Sequence, residues 1–434
     1  MKILVNPDTK TWNKELARPV QKMKEIEKIV KPIMKKVKRQ GDKALKKFAL
    51  EYDHVEIDSL LVEEAERNAS GAKLGVELKD AIQTARYNIE KFHKLQEMPA
   101  ISSEIMQGVT CMRRSVPIQK VGLYIPGGTA PLFSTVLMLG IPAKLAGCEE
   151  IVLCTPPDPK GEIHPAILYT ASLIGITKVV KAGGAQAIAA MCYGTASVPR
   201  VDKIFGPGNQ YVTAAKQLAT RQGVAIDMPA GPSEVLVYAD DTAIPEFVAA
   251  DLLSQAEHGV DSQVVLVCPT EKFVKKVLTA VEEQLRELPR QKIAKKALEN
   301  SVAIVMEKMN SALDLINAYA PEHLILAVKE EERAVQGIVN AGSVFIGNYT
   351  PEAAGDYASG TNHTLPTNGY ARSYSGVSLD SFVKKITYQK ITAEGIQSLG
   401  PAIEVMAHHE NLEAHKRAVT VRLNYLSNRK KDGF

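Results

Sequence analysis

From Val121 onward the chain repeats one unit. A short apolar run is followed by a glycine-bearing loop and then by a stretch of helical periodicity. The runs are Val121-Gly-Leu-Tyr-Ile125, Ile151-Val-Leu-Cys154, Lys178-Val-Val-Lys181 and Val201-Asp-Lys-Ile-Phe205, with helical stretches at 134–146, 165–174, 187–193 and 211–220. Parallel strands need a crossover between them, and a helix is the usual crossover, so this order predicts a parallel sheet wound on both faces. A second set follows: strands at 234–238, 262–268, 303–306, 324–328 and 343–346, with helices at 244–257, 271–288 and 311–319. The predicted fold class is α/β: two doubly wound, Rossmann-like but incomplete parallel-sheet domains, with a small N-terminal arm and a small C-terminal tail domain. Residues 1–20 form the arm, anchored by Trp12, the single tryptophan. Residues 21–120 are expected to join 236–378 in a first α/β domain, residues 121–235 to form a second, and 379–434 to form the tail.

Composition narrows the function classes. A net charge of +4 over 434 residues lacks the basic stripe of a dedicated nucleic-acid binder. The run Lys22 to Lys47 interleaves lysine with Ile, Val and Met at helical spacing, the pattern of a solvated helix face. Five scattered cysteines with no CxxC pair point to reduced thiols and a cytoplasmic protein. No apolar leader segment opens the chain, and no apolar stretch reaches membrane-spanning length, so neither secretion nor a membrane is expected.

Ligands of doubly wound sheets bind beyond the carboxyl ends of the strands. Those ends carry Tyr124 with Gly127-Gly128, Gly183-Gly184 with Gln186, and Gly206 and Gly208 with Asn209. Such glycines suit a phosphate-bearing ligand at a helix N-terminus, and equally a tight turn; no GxGxxG fingerprint decides between them. In Asp251-Leu-Leu-Ser-Gln-Ala-Glu-His258, Gln255 and His258 share a helix face, ahead of Gly259. Pro321-Glu322-His323 places a carboxylate beside an imidazole at a strand entrance, either a surface turn or an acid/base pair. The stretch 350–377 reads as a polar loop, with Asp356 and His363 as its chemical candidates or as ordinary turn residues. The tail offers Glu410 and His415, with His408 and His409 competing for any role given to His415. Gln255, His258, Asp356 and one tail histidine make a mixed nitrogen and oxygen set that suits zinc, with manganese or cobalt as alternatives. No thiolate takes part, so such a set holds a substrate rather than a fold.

Several longer motifs stand in order along the chain: Val121-Gly-Leu-Tyr-Ile-Pro-Gly-Gly128, Gly206-Pro-Gly-Asn209, Ile226-Asp-Met-Pro-Ala-Gly-Pro-Ser-Glu-Val235 with Asp251 to His258, Ala320-Pro-Glu-His-Leu324 and Gly360-Thr-Asn-His-Thr-Leu-Pro366. Together they resemble the histidinol dehydrogenase family over nearly the whole chain. The resemblance implies a zinc-containing, NAD-dependent enzyme that oxidises L-histidinol through L-histidinal to L-histidine, the last steps of histidine biosynthesis. It implies one zinc per subunit on Gln255, His258, Asp356 and His415, and acid/base roles for Glu322 and His323. Ser233, His363 and Glu410 would contact substrate alongside the metal ligands and His323; Tyr124, Gln186 and Asn209 would contact NAD. It also implies a homodimer whose tail is exchanged, so that His415 acts on the partner's site. Glu410 and His363 are both retained, which ties the substrate to histidinol. Met228-Pro-Ala is a small departure, and His408 and His409 are additions. A metal-dependent hydrolase using Glu322 would need no glycine-rich crevice, and a non-catalytic binder would not depend on Glu322 or His323.

Overall fold

The computed structural model describes residues 1–19, 23–127, 130–229 and 231–431. Gly128, Ala230 and the stretch 20–22 lie outside them. The chain forms two compact units, one of residues 1–96 and 118–382, the other of residues 97–117 and 383–434.

The larger unit contains two parallel sheets. The first has the order Lys2–Val5, Val302–Val305, Gln263–Cys268, Glu234–Ala239, His323–Ala327, Ser343–Ile346. Its strands alternate between two buried faces. Val235, Val237 and Ala239 pack under helices Pro245–Ala256, Glu271–Leu285 and Gln291–Glu299, while Leu236 and Tyr238 pack under Met309–Tyr319 and Glu331–Gly337. The second sheet has the order Lys178–Lys181, Glu150–Thr155, Lys120–Tyr124, Lys203–Phe205, Ala225–Ile226. Leaving aside the edge strand Lys2–Val5, each sheet lists its strands as third, second, first, fourth, fifth in chain order, the same half-Rossmann winding twice.

The N-terminal segment is an integral edge. Lys2–Val5 pairs in register with Val302–Val305, and the Trp12 indole N–H donates to the Pro7 carbonyl at 2.9 Å. The helices of 21–96, expected to share a domain with 236–378, pack on the other sheet instead. Helix Met23–Gln40 turns Ile26, Val30, Met34 and Val37 into the cluster that holds Val152, Val180 and Ile204. Helix Val76–Lys94 buries Ile82 and Ile89 on the opposite face, with Leu123 and Leu153. Each such side chain contributes about 1.5–3 kcal/mol of burial, which holds both helices on this sheet.

The smaller unit is a three-stranded antiparallel sheet, Val383–Ile391, Val109–Pro117, Ile101–Met106, followed by helices Ala393–His409 and Glu413–Lys431. The expected tail is therefore larger by the segment 97–117, whose two strands need Val383–Ile391 as their third. Among the described residues no helix is long and apolar enough to cross a membrane.

Candidate active site

The centre of the site is the entrance of strand His323–Ala327. Helix Met309–Tyr319 ends on Ala320, a non-glycine residue in the left-handed region at φ 53°. That turn, with Pro321 behind it, delivers Glu322 and His323 to the amino edge of the sheet beside Glu234. The Glu234 backbone N–H donates to Glu322 Oε2 at 2.9 Å, and its carbonyl accepts from His323 Nδ1 at 3.3 Å. A proton on Nδ1 leaves Nε2 as the free acceptor; Nε2 is buried, has no hydrogen-bond partner, and lies 3.6 Å from Asp356 Oδ1.

The stretch 350–377 is not all loop. Residues Glu352–Tyr357 form a helix, and one turn separates Glu352 from Asp356 on it. Glu352 is 1% exposed, its Oε1 stands 3.6 Å from His323 Nδ1, and its Oε2 has no partner. Nothing in the sequence singled it out, because the i, i+4 relation with Asp356 exists only once the segment is helical. His363 anchors the return of this segment, its Nδ1–H donating to the Asp356 carbonyl at 2.8 Å, with Nε2 3.1 Å from Thr135 Oγ1.

Helix Pro245–Ala256 stops earlier than its sequence suggests: Glu257 caps it and His258 lies just beyond. Gly259 keeps an ordinary φ, so it is not a left-handed cap. Gln255 is still on the helix, 1% exposed, and both its amide oxygen and its amide nitrogen lack partners. A buried primary amide with neither atom bonded costs about 1–3 kcal/mol for each unmet group, which marks it as waiting for a ligand.

Gln255, His258, Ser233, Glu322, His323, Asp356 and His363 all line one cavity of about 770 Å³. Tyr124 and Asn209 line this cavity and also a neighbouring one of about 860 Å³, which Gln186 lines. The second cavity sits at the carboxyl ends of the second sheet, as the sheet rule expects; the Glu322–His323 pair sits at the amino edge of the first, where the rule does not look. Tyr124 is held by its hydroxyl, which accepts from the Gly184 N–H at 3.0 Å. Asn209 Oδ1 caps helix Gln210–Thr220 through the N–H groups of Tyr211 and Val212, leaving the amide nitrogen for a ligand. Two residues unforeseen from sequence fix the loop between them. Lys216 and Asp227 form a buried ion pair, and both grip Gly206: Lys216 Nζ donates to its carbonyl and its N–H donates to Asp227, each at 2.8 Å. Gly206 has φ +131°, and a Cβ there would overlap the Tyr124 carbonyl oxygen.

The charges are arranged against each other. Burial pushes Glu322 up to about 8, against the pull of His323 and the Glu234 N–H. Burial does the same to Glu352, also to about 8, and lifts Asp251 to about 7. Burial disfavours imidazolium at His323, yet Glu352, Glu322 and Asp356 together outweigh it and hold its pKa well above the usual histidine value. Burial opposes the Asp356 charge too, but the neighbouring His323 ring, with His363 and His258, keeps that carboxyl below its ordinary range. His258 and His363 are lowered by burial, which favours neutral imidazole, the metal-ligating form.

A surplus of buried carboxylates, a neutral imidazole and an unbonded amide fit a divalent cation. Among the described residues the donors gathered within 4.8 Å of one another are those of His323, Glu352 and Asp356, and His258 is not in that group. The structure thus adds His323 and Glu352 to the surroundings of Asp356. Glu410 and His415 belong to the smaller unit, where both are exposed, Glu410 capping helix Ala393–His409 and His415 standing in Glu413–Lys431. His408 Nδ1 hydrogen-bonds Glu413 Oε1 at 2.7 Å and His409 Nδ1 the Val405 carbonyl at 2.9 Å, so both rings have local partners.

Two doubly wound sheets, with a buried Glu–His pair in a cavity beside a glycine-lined crevice, define an α/β protein of Rossmann-like winding. The histidinol dehydrogenase family profile matches residues 16–423. The chain is 58% identical over 423 residues to a histidinol dehydrogenase of Bacteroides fragilis, covering 98% of this chain and 99% of that protein. It is 53% identical over 400 residues to one of Vibrio parahaemolyticus, covering 92% of each. The crystal structure of histidinol dehydrogenase from Elizabethkingia anophelis superposes with a TM-score of 0.96 at 57% identity, covering 98% of this chain and 99% of that one. The chain belongs to the histidinol dehydrogenase family, whose members are oxidoreductases.

Proposed function

We propose that the chain oxidises L-histidinol to L-histidinal and then to L-histidine within one site, reducing two NAD per substrate, as a cytoplasmic homodimer of histidine biosynthesis. The observation that carries this reading is the Glu322–His323 pair, held by the backbone N–H and C=O of Glu234 and opening into the same cavity as Gln255, His258 and Asp356. Zinc, one per subunit, would be held by Gln255, His258 and Asp356, with His415 supplied by the partner of an exchanged tail. When bound, zinc supplies a borderline-soft centre for the imidazole and amine nitrogens of the substrate, and NAD supplies the hydride acceptor.

The chain's own residues do the rest. Once the second proton that the surrounding carboxylates favour has left, His323, fixed by its Nδ1–H, presents Nε2 to take the proton of the substrate hydroxyl. The carboxylates around it stabilise the imidazolium that results. The second oxidation requires water to add to the aldehyde. Glu322 is the base for that water, because burial raises its proton affinity toward neutrality. Ser233, His363 and Glu410 orient the substrate, and Tyr124, Gln186 and Asn209 orient NAD. The test is metal content together with histidinol-dependent NADH formation, before and after a chelator. Activity that leaves with zinc and returns with it is expected; full activity in metal-free protein would overturn the metal's role, and absence of NADH in zinc-loaded protein would overturn the reaction.

A further inference from the structure

One residue serves both reactive groups through the two peptide groups that flank its Cα: Glu234 N–H holds Glu322 and Glu234 C=O holds His323. The placement of the Glu234 backbone therefore sets the placement of the pair. The Glu234 side chain is 1% exposed and is gripped by Arg18 in a two-pronged fork, Nε to Oε2 and Nη2 to Oε1, the latter at 2.8 Å. Arg18 Nη2 also donates to the Tyr319 carbonyl at 2.8 Å, and its guanidinium carbon lies 3.9 Å from the centre of the Tyr319 ring. The Tyr319 hydroxyl donates to Gln263 Oε1 at 2.9 Å and lies 3.3 Å from Glu234 Oε2. The Gln263 amide in turn donates to the Ala17 carbonyl at 3.0 Å, next to Arg18. Tyr319 immediately precedes the left-handed Ala320 that launches Glu322 and His323.

Arg18 thus ties together the strand that holds the pair and the helix end that delivers it. Neither Arg18 nor Tyr319 lines either cavity, so neither reaches the substrate. The two-pronged fork fixes the relative geometry of the groups it joins, and a misplacement of about 1 Å in a reacting group costs about a hundredfold in rate. We propose that Arg18 is a positioning residue for the Glu322–His323 pair, acting through Glu234 and Tyr319. The inference rests on the reading of that pair as the acid/base centre.

The test is a double-mutant cycle of R18Q with E322Q, read on histidinal oxidation and on urea unfolding. R18Q alone should lower kcat about 10- to 100-fold while leaving the KM for NAD and the zinc content within about twofold. In the E322Q background the same change should cost at least about fivefold less, and the urea midpoints of the singles should not sum to that of the double. Unchanged kcat in R18Q, or additive costs in both readouts, overturns the brace. If R18Q does not fold, R18K, which keeps the charge and loses the fork, enters the same cycle with the same criteria. A wild-type chain with no turnover would strike the proposed reaction alone, and the urea cycle would still decide on Arg18.

Discussion

Replacing Glu322 by glutamine should separate the two oxidations. The amide oxygen of glutamine can still accept from the Glu234 N–H, which now lies 2.9 Å from Oε2, so the side chain keeps its place. What is lost is a base and a charge. A positioned general base is worth about 10²- to 10⁴-fold, or roughly 3–5 kcal/mol of barrier, and that loss falls on the water-adding half-reaction. The charge matters less to the first half. Glu322 Oε2 stands 3.7 Å from His323 Nδ1, but Glu352 and Asp356 each present an oxygen at 3.6 Å from the same ring and remain. With two of three carboxylates retained, histidinol oxidation should fall by less than about tenfold. The assay is single-turnover NADH formation, started separately from L-histidinol and from L-histidinal, with zinc content measured on the same sample. If histidinol oxidation drops as far as histidinal oxidation, Glu322 is not the base of the second half and the division of labour is wrong.

Three further outcomes are expected. His323→Gln removes the acceptor of the histidinol hydroxyl proton, and histidinol oxidation should slow by about 10²- to 10⁴-fold; an unchanged rate from histidinol would contradict the assignment. Gln255→Ala should weaken zinc about 10- to 100-fold, as measured by competition with a chelator, and a retained affinity would exclude it as a ligand. Metal-free protein should lose thermal stability between about pH 6.5 and 8.5, above the range in which the lowered His258 and His363 act in the opposite sense. Glu322 and Glu352, raised to about 8, and Asp251, raised to about 7, bind protons more tightly folded than unfolded, as does His323. Their stabilising contribution is complete below their unfolded pKa values and is lost as pH rises through the folded ones. A melting temperature of chelated protein that is flat or rising across that window would contradict the raised values.

Much of the fold and of the site is legible in the sequence itself. Short apolar runs with glycine loops between them can close only as wound parallel sheets, and both sheets are present. Chemistry concentrated in Gln255, His258, Glu322, His323, Asp356 and His363 was legible as residue types, and one cavity gathers them. What the sequence hid depends on tertiary context. Spacing shows that helix Met23–Gln40 has an apolar face, but not which sheet that face covers. Strands Ile101–Met106 and Val109–Pro117 needed a partner about 270 residues away. Glu352 sat in a stretch whose polar composition reads as loop, so its one-turn relation to Asp356 was invisible. Arg18 was an ordinary basic residue of a terminal arm until the fold set it on Glu234. The sheet rule found the glycine-lined crevice yet could not find the acid/base pair, which uses the opposite edge of the other sheet.

The most direct test of the central claim is stoichiometry. Zinc-loaded protein is supplied with limiting L-histidinol and excess NAD, and NADH and products are counted at completion. Two NADH and one L-histidine per histidinol are predicted, with no histidinal released. One NADH with histidinal accumulating, or no NADH at all, would contradict a single site that carries both oxidations.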